Sequence, residues 1–432
     1  PDWATATDML TVGTQLFIMV RGQTSDSRLY VTDGSVAGTV KLKDFGSNGP
    51  TQIRLAANPA GTGVVFSASD GLAGQELWTS DGTVAGTKLL ADIAPGPGSS
   101  DPGILVELGG ELVFAATTVG EGRELWTTDG TTAGTHLLAD IAGGPVDSDP
   151  DLAPHGVIGG TLFFTAASST AGTEVHATDG STTWLEMDAK PGLAGSSPLI
   201  LGEAGGKLIV HLAPTIGSDM AEPHAWDGSS LTQLGEITAG TPYGPPRDFA
   251  ALGSRLTFWS RDFDGDSFWI TDGTPAGTEV LMETPQEPYP HDHGLTVTPQ
   301  GTAIFRGFSM DSGIELFETD GTAAGTFEVR GPGVMGEVIR ELVPDPTGQG
   351  VYLWTWDEAG NIGQLWWSDG TSGGTILLNS SSSTQHPGIV GSGSRVLFTG
   401  YAPEHGWEPY ISDGTPAGTH LLADIHSGSW NS

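Results

Sequence analysis

Residues 124–141 read ELWTTDGTTAGTHLLADI, and residues 76–93 read ELWTSDGTVAGTKLLADI. The Asp-Gly at the centre of each copy is a hairpin signal, because glycine accepts a positive φ and aspartate bonds its own downstream backbone. Apolar runs too short for helices lie on either side, so the phrase predicts two strands joined by a tight corner.

Working outward, weaker copies keep the corner. Asp-Gly pairs begin at Asp33, Asp81, Asp129, Asp179, Asp227, Asp272, Asp320, Asp369 and Asp413, at intervals of 44 to 50 residues. A period this regular marks a repeat architecture. The unit around Glu124 breaks into four short apolar stretches, at 104–108, 111–117, 124–128 and 135–141. Four antiparallel strands in about 40–50 residues describe a propeller blade. The expected fold is all-β: a single closed nine-bladed β-propeller domain over 1–432. Its blades lie at roughly 1–48, 49–96, 97–145, 146–193, 194–241, 242–287, 288–334, 335–383 and 384–432. A solenoid needs polar caps, and neither terminal unit resembles one. Two propellers in tandem need a break in spacing, and an eight-bladed ring leaves a unit over. The chain ends DIHSGSWNS (424–432) and begins PDWATATDML (1–10). Laid head to tail they imitate the loop at 92–106, DIAPGPGSSDPGILV, so the termini are expected to be adjacent.

Composition narrows the function classes. Glycine and proline are abundant (66 and 28), yet 13 tryptophans and 15 phenylalanines supply the core a disordered chain lacks. A net charge of −36 repels phosphates and anionic lipid, which excludes nucleic acid as a general partner. No stretch approaches the roughly 20 apolar residues of a membrane span, so no membrane insertion is expected. With no cysteine there are neither disulfides nor thiolate metal sites. The first residue is Pro1 rather than Met, which reads as a trimmed or mature form, so the lack of a visible signal peptide does not argue for the cytoplasm.

The phrase ELW-x-x-DGT-x-AGT resembles the bacterial ELWxxDGT repeat proteins, also described as hyalin-like repeats. The resemblance is strong at 76–95 and 124–141, good at 315–326 and 408–425, and poor at 174–237. It implies a secreted or cell-surface protein and carries no established chemistry.

Residues copied from unit to unit are expected to build the ring. The repeated Glu of strand three (Glu76, Glu124, Glu174, Glu222, Glu315, Glu408) and the strand-four acid (Asp44, Asp92, Asp140, Asp188, Asp424) either serve the ring, accepting backbone N–H bonds at a loop or pairing with the next blade, or form a calcium-binding ring of carboxylates. The ELW tryptophans Trp78, Trp126, Trp269 and Trp366 are expected between blades. The glycine of each AGT, the second in DGT-x-AGT, is expected to serve the tight corner through its backbone freedom.

Function is expected where the copying breaks down, at the start of strand one, which lines the channel of a propeller. Arg247, Asp248, His291, Asp292, His293, Arg340, Glu341, His386, Gln52, Arg54 and His155 depart from the small residues usual there. They suggest a polar pocket at a channel mouth for an anionic or sugar ligand. His291 and His293 alternate on one strand face and can share a metal. Asp262, Asp264 and Asp266 form a candidate calcium loop between strands two and three, without the EF-hand glycine or terminal Glu. Asp147, Asp149 and Asp151 alternate in the same way. Trp407 and Trp356, expected on two-to-three loops, are candidate sugar-stacking platforms.

No Ser-His-Asp signature, phosphate loop or HExxH helix appears. The expectation is therefore a monomeric, non-catalytic binding or scaffold propeller rather than an enzyme. Its partner would be an extracellular protein, glycan or small molecule. It would need no cofactor, with calcium the candidate ion. The rivals are a hydrolase-type enzyme with its site at the channel mouth, using His291, His293, Arg247 or His386, and a lectin-like propeller.

Overall fold

The computed structural model describes residues 4–22, 27–33, 35, 37–46, 54–212, 222–237, 246–261, 265–285, 294–309, 313–329, 338–357, 362–381, 388–392, 394–402 and 404–422. The fold is a β-propeller of nine four-stranded antiparallel blades, each with its strands in the order one-two-three-four. The chain divides into two compact units, 1–200 with blades one to four and 201–432 with blades six to nine and nearly all of blade five. The expected meeting of the chain ends falls on residues outside those described.

Blade three shows how the phrase folds. Strand one is Val106–Leu108, strand two Glu111–Thr118, strand three Gly122–Thr128 and strand four His136–Ala139. At the corner between strands three and four, Asp129 Oδ1 accepts hydrogen bonds from Thr131 N (2.8 Å) and Thr131 Oγ1 (2.7 Å). Thr131 Oγ1 in turn accepts from Gly134 N at 3.1 Å, and Thr135 Oγ1 donates to Thr131 O at 2.8 Å. Gly130 has φ 86°, as the Asp-Gly signal predicts. The AGT glycine is needed for a different reason from the one expected. A Cβ on Gly134 would fall 2.1 Å from the Asp129 carboxylate, and one on Gly86 would fall 1.9 Å from that of Asp81. The constraint is space under the aspartate and not a positive φ. Blades four and five lack AGT and close more tightly: Asp179 Oδ1 takes both Ser181 N and Thr182 N, and Asp227 Oδ1 takes Ser229 N and Ser230 N.

Each core cluster is shared by two successive blades. Phe17, Met19 and Leu29 of blade one pack with Val64, Phe66 and Trp78 of blade two. Blade two's Val65 and Leu77 pack with blade three's Leu112 and Phe114. In the second unit the pairs are blades six and seven, seven and eight, and eight and nine. The strand-three to strand-four register slips by one residue at the tryptophan position, between Leu77 and Trp78, Leu125 and Trp126, Phe268 and Trp269, and Leu365 and Trp366. This repeated bulge bends the outer strand at a fixed point in the blade. Trp78 and Trp366 are buried in two-blade clusters, as expected of the ELW tryptophan.

Candidate functional site

The repeated glutamate holds the loop that carries the chain to the next blade. Glu76 is fully buried and accepts from Ile93 N (2.8 Å), Ser100 N (2.9 Å) and Ser100 Oγ (2.6 Å). Glu124 repeats this with Ile141 N (2.8 Å), Ser148 N (3.1 Å) and Ser148 Oγ (2.6 Å). In blade four Glu174 accepts from Ala189 N, Lys190 N and Ser196 Oγ. Burial pushes the Glu76 and Glu124 carboxyls up, while these hydrogen bonds pull them down. The residue after each serine, Asp101, Asp149 or Ser197, takes φ 45°. Of the two readings of the glutamates, this geometry is the backbone-accepting one.

Blades one, six and eight depart from it, with Arg28, Ser267 and Gln364 at the glutamate position. In blade six, Arg247 and Asp248 stand where blade three has Ser100 and Asp101, and Asp248 has φ 51°. The strand-one register slips between Arg247 and Ala250, forming a bulge at Asp248. Arg247 Nη2 lies 2.8 Å from Asp266 Oδ1, and Arg261 Nε lies 3.9 Å from the same oxygen. Asp266 is 2% exposed and belongs to strand three (Gly265–Thr271), not to the loop before it. Its carboxylate is thus engaged with arginine. Asp262 and Asp264 lie outside the described residues.

His291, Asp292, His293, His386 and Gln52 lie outside the described residues. His155 Nε2 lies 3.0 Å from Ile200 O, and Arg54 is exposed. Arg340 is exposed on strand one of blade eight, and its carbonyl accepts from the buried Arg306 at 2.9 Å. Asp147 Oδ1 accepts from Arg123 N at 2.7 Å, which spends one of that aspartate's two oxygens on the backbone. Trp407 lies in strand three of blade nine (Gly406–Ser412) opposite Tyr401, and Trp356 in strand two of blade eight (Val351–Asp357). Both belong to strands and not to the loops expected of them, because strand pairing runs further toward the rim than the apolar pattern suggests. Among the described residues no group of three or more His, Asp or Glu side chains is placed to hold a metal. Arg261 was not singled out from sequence. The available signal was its position two residues after Trp259, on the same face of strand two.

No protein-family model matches the chain, and no curated protein matches it. Solved structures similar to it include Porphyromonas gingivalis dipeptidyl peptidase 4, at 10% identity and TM-score 0.50, covering 98% of this chain and 60% of that one. Puromycin hydrolase is similar at 14% identity and TM-score 0.36, over 76% of this chain and 54% of that one. The β-propeller domain of the Trilobed protease from Pyrococcus furiosus is similar at 10% identity and TM-score 0.39, over 76% of this chain and 95% of that one. The chain therefore spans about half to three-fifths of the length of the two larger peptidases. At such identities the likeness is one of fold. The expectation of a non-catalytic binding and scaffold propeller is corrected by this finding, since the similar solved structure that covers nearly the whole chain is that of a peptidase.

Proposed function

We propose that this chain is a hydrolase-type propeller that takes up peptide substrates. The observation that carries the reading is its likeness to a dipeptidyl peptidase over nearly the whole chain. Two features of the residues support it. The structural copies of the repeat are engaged in backbone bonds, so they leave substrate contact to the positions that differ. Those positions supply arginine at strand one of blades six and eight, Arg247 and Arg340. The charge of −36 steers cationic peptides toward the molecule and repels polyanions.

The test is to present the purified chain with a panel of dipeptidyl anilides, short peptides and p-nitrophenyl esters. Hydrolysis is followed by absorbance and mass spectrometry, and peptide uptake by fluorescence anisotropy. Hydrolysis above a heat-inactivated control, or saturable binding of peptides, is the expected outcome. If hydrolysis falls in His291→Ala with the unfolding temperature unchanged, the chemistry resides on this chain. A chain that neither cleaves nor binds any member of the panel overturns the proposal.

A further inference from the structure

The residue before the Asp-Gly corner is serine or threonine in blades one to four and six to nine. In blades two, three, four and six to nine its hydroxyl oxygen accepts the N–H of the corner glycine, at 3.0–3.3 Å. Blade five has Trp226 in that place. An indole carries a donor and no acceptor, so it offers nothing comparable to the N–H of Gly228. Among the described residues Gly228 N has no hydrogen-bond partner, and Asp227, Gly228, Ser229 and Ser230 are all exposed.

An Asp-Gly bond has a chemical weakness at that nitrogen. The glycine N can attack the aspartate Cγ and close a five-membered succinimide. As the N–Cγ bond forms, the carboxyl loses one oxygen as water, and the amide proton leaves with it. Water then reopens the ring at either carbonyl. Opening at Cγ restores aspartate. Opening at the former main-chain carbonyl leaves the chain running through the side chain, as isoaspartate. One water departs and one is taken up, so no other reactant is needed. Glycine hinders the attack least, because it has no Cβ. A glycine N–H held by a hydroxyl must give up that bond before its nitrogen reaches Cγ, whereas a solvated one is not tied to one orientation.

Blades four and five form a matched pair for this chemistry. Asp179 Oδ1 accepts from Ser181 N (2.8 Å), Ser181 Oγ (2.8 Å) and Thr182 N (2.8 Å). Asp227 Oδ1 accepts from Ser229 N (2.9 Å), Ser229 Oγ (2.9 Å) and Ser230 N (2.7 Å). These bonds, led by the Thr182 N–H in one corner and the Ser230 N–H in the other, hold both carboxyls well below the usual carboxylate range. The attack needs the neutral acid, so it is slowed in both corners alike. What differs is the glycine: Gly180 N donates to Thr178 Oγ1 at 3.1 Å, and Gly228 N has no such acceptor.

We propose that the hydroxyl before each Asp-Gly guards the corner against isoaspartate formation, and that Asp227-Gly228 in blade five is an unguarded modification site. Isoaspartate there adds a methylene to the main chain and leaves the α-carboxylate as a side group, open to enzymatic methyl esterification. The inference is independent of the hydrolase-type reading.

The experiment ages the folded protein at mildly acidic pH and body temperature, digests it, and scores each Asp-Gly peptide for isoaspartate by electron-transfer fragmentation. The free peptide PHAWDGSS, residues 223–230, is aged beside it. Isoaspartate is expected to build up about fivefold faster at Asp227 than at Asp179, the rate equivalent of one hydrogen bond. Trp226→Thr should slow Asp227 to the Asp179 rate, and Thr178→Val should raise Asp179 to the Asp227 rate. Unfolding temperature checks each variant, and the two corners of the unaltered chain still give the comparison if a variant fails to fold. Equal rates at the two corners, a faster rate at Asp179, or no isoaspartate at Asp227 over several half-lives of the free peptide overturn the proposal. So does a folded Trp226→Thr in which the Asp227 rate is unchanged.

Discussion

Blades three and six use their buried acids in different ways. In blade three a buried glutamate gathers the N–H groups and the serine hydroxyl of the outgoing loop. In blade six the glutamate position is Ser267, a buried acid, Asp266, stands one residue earlier on the other face of the strand, and Arg247 stands at the head of strand one where blade three has Ser100. The first arrangement consumes its carboxylate on the protein's own backbone. The second ties an acid to two arginines that retain part of their surface in water. Regularity in this molecule marks carboxylates bound to the protein's own backbone, and departure marks side chains with other partners.

The sharpest way to break this comparison is to remove the two blades' polar anchors separately. Glu124→Ala strands several buried donors and should destabilise the protein by about 3 kcal/mol in denaturant unfolding. Ser267→Ala should cost under about 1 kcal/mol, and equal losses would show that the glutamate is no anchor.

The corner glycine gives the next largest effect. Gly134→Ala drives a Cβ into the Asp129 carboxylate and should cost roughly 2 kcal/mol. Gly373→Ala, where nothing lies within 4 Å of the added carbon, should stay within about 0.5 kcal/mol. Unfolding midpoints of the two variants measure the difference.

The smallest effect separates blade three from blade four through pH. His176 takes the place that tryptophan holds in blade three; it is 4% exposed and stacks on Phe164 with ring centroids 6.0 Å apart. Burial holds its pKa below the ordinary 6.5, against the Glu174 carbonyl beside its Nδ1. The unfolded chain takes up a proton near pH 6.5 that the folded blade refuses, so the stability His176 contributes is full above that pH and is lost as pH falls toward the depressed folded value. Unfolding free energy measured from pH 7.5 to 5 should therefore fall less steeply in His176→Phe. Identical slopes would remove the histidine from the account.

Much of this architecture was legible in the chain because it rests on local chemistry. Asp129-Gly130 must turn, and the spacing of such pairs counts the blades. The role of Gly134 was less legible, since its Cβ meets a side chain five residues back only after the corner has folded. The site in blade six was half legible. Arg247 stood out among small residues at strand one, but Arg261 and Asp266 join it only through strand register, and Asp266 reads in sequence as the end of an acidic loop. Trp356 and Trp407 were misplaced for a related reason: apolar alternation stops before the pairing does.

The shared cores have a consequence for how such a chain can change length. The sequence repeats from one Asp-Gly to the next, whereas the buried surfaces lie between blades, each built from one face of two successive units. The unit of copying and the unit of burial are out of phase. Duplicating or deleting any whole period therefore still sets a face of one kind against a face of the other kind, whereas removing part of a blade strips Phe66 or Phe114 of some of its neighbours. Gene-level gain and loss of repeats is thus filtered by packing: whole-period events conserve the interface, and fractional ones do not.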